Sequence, residues 1–107
     1  MPNVAIRKNA DPVAQFIARV ELYGANGEDY SKLHAAMERG GFSRTITLQD
    51  GSVHQLPTAD YFREGISTTE TVLNEVRSAA STVSRSFGAI VVEAAEPAWV
   101  FNLKPAR

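Results

Sequence analysis

The chain has 107 residues, a formal net charge of −1 from 11 Lys and Arg against 12 Asp and Glu, 44% hydrophobic and 21% charged residues, and no cysteine. That length suits one domain with one core, and the composition is that of a folded globular protein. The near-neutral charge provides no global field for polyanions, so nucleic acid binding needs a local patch, and the missing thiols exclude disulfides, thiolate metal sites and cysteine nucleophiles.

Met1 to Pro12 reads as a flexible N-terminal lead-in, with Pro2, Pro12 and the polar RKNAD stretch, and residues 13–107 as a single domain. No signal-like apolar core follows the basic start, so export is not expected. Apolar runs such as Ala89 to Val92 fall far short of the roughly 20 residues of a membrane helix. A cytoplasmic protein is the expectation, which the lack of cysteine fits.

From Val13 to Tyr23 the residues alternate. Ala14, Phe16, Ala18, Val20 and Leu22 fall on one face, and Gln15, Ile17, Arg19, Glu21 and Tyr23 on the other, which predicts a half-buried strand. Gly24 to Glu28 is a turn. Asp29 is the expected cap of a helix whose stripe is Tyr30, Leu33 and Met37, and Gly40-Gly41 ends it. Phe42 to Leu48 is the second expected strand, Asp50-Gly51 the hairpin turn, and Val53 to Leu56 the return strand that Pro57 stops.

Pro57 to Ser67 reads as an ordered loop or short helical turn carrying Tyr61 and Phe62. Ser67 and Glu70 have capping-box spacing before a helix with Val72, Leu73, Val76, Ala79, Ala80 and Val83 on one stripe. Ala89 to Ala94 is a further strand, and Pro97 separates it from a last extended segment, Trp99 to Leu103. This order predicts an α+β fold: a ferredoxin-like βαββαβ sandwich, an antiparallel sheet with two helices on one face and an extra C-terminal strand. The other sheet face would carry Arg19, Glu21, Tyr23, Thr45 and Thr47, and is therefore solvated or bound to a partner.

The candidate chemistry is sparse. His34 and His54 are the only histidines and hence the candidate acid and base, against the plainer reading of a helix-boundary residue and a solvated hairpin residue. No HxxxH, HxH or HExxH spacing occurs, so no metal and no small-molecule cofactor is expected. Arg19, Tyr23 and Arg44 are the candidate nucleic-acid-binding residues, because cations and an aromatic on an open sheet can hold phosphates and stack bases. Tyr61, Phe62, Trp99 and Phe101 read as core or interface anchors, with Trp99 and Phe101 the candidate interface residues.

At Asp29-Tyr30, Leu33-His34, Met37, Gly41-Phe42-Ser43-Arg44, Asp50-Gly51, Leu56-Pro57 and Tyr61 the chain resembles a family of small bacterial proteins similar to the endoribonuclease antitoxin GhoS of type V toxin–antitoxin systems. The resemblance covers about Phe16 to Tyr61. It implies a ferredoxin-like fold related to a small CRISPR-associated nuclease, often a homodimer, and for the antitoxin itself cleavage of the toxin's messenger RNA. No catalytic set transfers residue by residue. Two functional readings stand: a small antitoxin-like regulator that binds or cleaves RNA, if an enzyme then a metal-independent endoribonuclease, and a non-enzymatic homodimeric interaction module.

Overall fold

Phe16, Ala18 and Val20 have no exposed surface, and Leu22 almost none, so the alternation along the first strand marks a core face. In the computed structural model, which describes residues 13–95 and 102–106, that strand is β1 (Ala14–Leu22). It is followed by α1 (Gly27–Arg39), β2 (Thr45–Thr47), β3 (Val53–Gln55), β4 (Asp60–Gly65), α2 (Thr69–Ser81) and β5 (Phe87–Glu93). The lead-in at residues 1–12 and the anchors Trp99 and Phe101 lie outside the described residues.

β1 is the middle of a three-stranded antiparallel sheet in the order β4-β1-β5. Leu33 and Met37 of α1, Val72, Val76 and Ala80 of α2, and Tyr61 of β4 close over the β1 core face in one cluster. Each fully buried Val, Leu, Phe or Met there contributes about 1.5–3 kcal/mol relative to exposure, so both helices are held by their stripes rather than by local propensity. The α+β class expected from the element order is what the chain adopts.

The helix starts differ in detail from the sequence expectation. Asn26, not Asp29, caps α1: its Oδ1 accepts the Asp29 N–H at 3.0 Å, and the Asp29 carboxylate accepts the Asn26 N–H at 3.2 Å, a closed capping box. Thr68, not Ser67, caps α2 by accepting the Thr71 N–H. Gly41, with φ +92, takes the left-handed conformation that ends α1.

The larger correction concerns Pro57 to Ser67. It is not a loop or helical turn but carries β4, the partner of β1 along Ala14–Gly65 to Arg19–Asp60. Charges at Asp60, Arg63 and Glu64 break the hydrophobic pattern of this strand, yet each has a partner. Asp60 meets Arg19, Arg63 meets Glu75 of α2, and Glu64 accepts from the Gln15 amide. The expected Phe42 to Leu48 strand is shorter than its pattern suggested. Ser43 joins β4 through one bridge, its N–H donating to Phe62 O and its O accepting the Phe62 N–H, and the chain then leaves to form the β2–β3 ladder.

Of the expected C-terminal strand, Trp99 to Leu103, only Asn102 and Leu103 lie among the described residues, and they form no strand. Residues 102–106 run beside β3, where Gln55 N–H donates to Lys104 O and Ala106 N–H to Val53 O, each at 2.9 Å. No described helix is long and apolar enough to cross a membrane.

Candidate functional site

α1 carries His34 one position past the buried Leu33, which leaves the imidazole half-buried at the edge of the core. β4 carries Tyr61 inward, with no exposed surface. The two meet where α1 covers the sheet: His34 Nδ1 lies 2.7 Å from Tyr61 Oη, with the rings tilted at 56°. The hydroxyl proton has no other acceptor among the described residues, so Tyr61 donates to Nδ1 and the hydrogen of the neutral imidazole sits on Nε2.

The local electrostatics favour the neutral form of both groups. Burial, and then the nearby Arg44 cation, lower the proton affinity of His34 against a smaller opposing pull from Glu38. Burial pushes the Tyr61 hydroxyl up to about 12, although Arg44 acts the other way. Arg44 is therefore the charge felt by both rings. It is set between the Ser43 bridge and β2, its carbonyl accepts the Leu56 N–H at 2.8 Å, and it makes no ion pair among the described residues.

Arg44 also lines an open cleft of about 320 Å³ with Gln55, Thr58, Asn102 and Lys104. The lining holds two cations, amides and a hydroxyl, and no carboxylate. A second cleft, of about 440 Å³, lies between the β2–β3 loop and the ends of β1 and β5; it has Glu93 and no cation. Of these two, the first suits an anionic oxygen.

The remaining sequence candidates fall elsewhere. His54 Nε2 donates to Ser52 Oγ at 3.1 Å, and Ser52 in turn donates to Asp50 Oδ1 at 2.6 Å, which holds the Asp50 carboxyl below its ordinary range. Among the described residues no hydrogen bond or ring contact joins His54 to His34. Arg19 does lie on the open face, but both its Nε and Nη2 donate to Asp60, at 2.8 and 3.0 Å, so its charge is matched. Tyr23 is half-exposed on the same face and lies over Gly88, where an added β-carbon would stand 2.6 Å from its Oη.

The sequence marks Tyr61 as a core or interface anchor, not as a partner of His34, and neither Asp60 nor Lys104 stands out in it. The signal for Asp60 was present as an acidic residue able to sit across from Arg19, but only the β1–β4 register reveals it. No group of three or more possible metal ligands occurs among the described residues. Comparison with protein-family models, curated proteins and solved structures gives no match.

Proposed function

We propose that the chain is a small cytoplasmic, antitoxin-like regulator that binds RNA phosphates at the Arg44 cleft, on a ferredoxin-like scaffold. The observation that carries this reading is Arg44, which makes no ion pair among the described residues and lines a cleft with Lys104, while its charge acts on a His34 whose Nδ1 is occupied by Tyr61. A neutral imidazole with its hydrogen on Nε2 is a donor. It can hold an anionic oxygen but cannot take a 2′-hydroxyl proton without giving up the Tyr61 bond. Phosphate binding is thus favoured over general-base cleavage. The scaffold reading is supported by the central position of β1 and by the Ser43–Phe62 bridge, which sets the approach to β2 outside β4. The test is anisotropy with single-stranded RNA across a salt series: Arg44→Gln should lower both affinity and salt slope, the slope by about 0.7 per lost phosphate contact. Unchanged affinity would remove Arg44 from the site.

A second reading, a homodimeric interaction module, is favoured by one observation. Tyr23, Ile90 and Val92 are each about half or more exposed, at 54%, 60% and 49%, and lie together on the sheet face that the helices leave uncovered.

A further inference from the structure

We infer that two copies of this chain associate through the outer edge of β5, paired antiparallel about a two-fold axis at Ile90, into one continuous six-stranded sheet. The inference rests on the self-association reading and specifies its strand and register.

Hydrogen-bond parity identifies the free groups. Tyr23 N–H donates to Ser86 O, and Ala94 N–H to Gln15 O, so the even-numbered residues of β5 turn their backbone groups toward β1. Phe87, Ala89, Val91 and Glu93 then present theirs outward, and no described strand pairs with them. The described C-terminal residues 102–106 lie along β3 instead. On the opposite side of the sheet, β4 is capped at Phe62 by Ser43. β5 has no lysine and no proline to blunt its edge: the strand FGAIVVE spans 7 residues and carries one charge, Glu93, at its end.

The occupant follows from the chemistry of that edge. A second β5 centred on Ile90 sets Phe87 against the partner's Glu93, and Ala89 against the partner's Val91. Every outward N–H and C=O then has a partner. Ile90, 60% exposed on the uncovered face, meets its own copy across the axis. Charge agrees: Phe87 shares a surface recess with Arg77 of α2, so each Glu93 carboxylate comes beside the other copy's Arg77 guanidinium. Neither group has an ion-pair partner among the described residues. Moving the axis to Ala89 or Val91 leaves outward groups unpaired at the ends and takes Glu93 away from Phe87.

The full chain has no cysteine, which makes the register directly readable. A residue on the two-fold at a non-hydrogen-bonded position brings its own copy within disulfide reach. Under mild oxidation Ile90→Cys should cross-link as a dimer, while Ala89→Cys and Val91→Cys should not. Ala89→Pro deletes only an outward N–H and should give a folded monomer by circular dichroism and sedimentation. Arg77→Glu and Glu93→Arg should each weaken the dimer about tenfold, as loss of an interfacial charge pair does, and the double variant should restore it. A wild-type monomer at millimolar concentration overturns this proposal and the self-association reading together. A dimer that Ala89→Pro leaves intact and Ile90→Cys fails to cross-link overturns the β5 edge alone, and cross-linking at Ala89→Cys or Val91→Cys instead overturns the register.

Discussion

Tyr61→Phe isolates the hydroxyl that organises the candidate site while keeping the buried ring. At neutral pH the variant loses one hydrogen bond, worth about 1 kcal/mol net, and leaves His34 Nδ1 without its donor. Because the imidazole is half-buried, water can recover part of that loss, and the expected total is about 1–2 kcal/mol. For a domain of this size each kcal/mol lowers Tm by about 4–8 °C. The pH dependence carries the opposite sign. The hydroxyl is raised from 10.0 to about 12, so its contribution is complete below pH 10 and lost as pH rises through 12. Two units amount to about 3 kcal/mol, which the variant cannot lose. Urea unfolding from pH 7 to 12 should therefore show the wild type more stable at first and the order reversed in strong alkali. Parallel stability curves with no crossing would refute the assignment of a buried, hydrogen-bonded Tyr61 hydroxyl.

Arg19→Met should destabilise the chain more than Asp60→Asn, since it strands a buried carboxylate whereas Arg19 can be resolvated; denaturant midpoints rank the two. Leu33→Ala should cost about 2–5 kcal/mol by urea unfolding, because its side chain is fully buried between α1 and the sheet. Ala59 has φ +76, so Ala59→Gly should relieve strain and raise stability by about 0.5–1 kcal/mol in the same assay. His34 adds acid sensitivity: its lowered proton affinity stabilises the fold fully above about pH 6.5, and that share is lost as pH falls through the folded value, so His34→Gln should flatten the acid limb.

What the sequence made legible follows from periodicity. β1, both helix stripes and the Asp50-Gly51 hairpin have strong local patterns, and apolar residues of β1 and of the two stripes make up most of the core. β4 was hidden because its charges are satisfied only by residues distant in sequence: Asp60 by Arg19 and Arg63 by Glu75. The candidate site was half visible. His34 and Arg44 stood out by chemical type, but the 2.7 Å contact to Tyr61 depends on placing β4 beneath α1, which no local pattern announces. Conversely, Arg19 had the expected position and lost its expected role, since the same unrecognised strand brings Asp60 to it.

The proposed phosphate site is the cleft of Arg44 and Lys104. Equilibrium binding of a single-stranded RNA to the wild type, Arg44→Gln, Lys104→Gln and Arg19→Gln over a salt series tests it most directly. Affinity that falls with salt, drops for Arg44→Gln and Lys104→Gln, and stays unchanged for Arg19→Gln is the expected result. Salt-independent binding, or a loss confined to Arg19→Gln, would contradict it and return the function to the open sheet face.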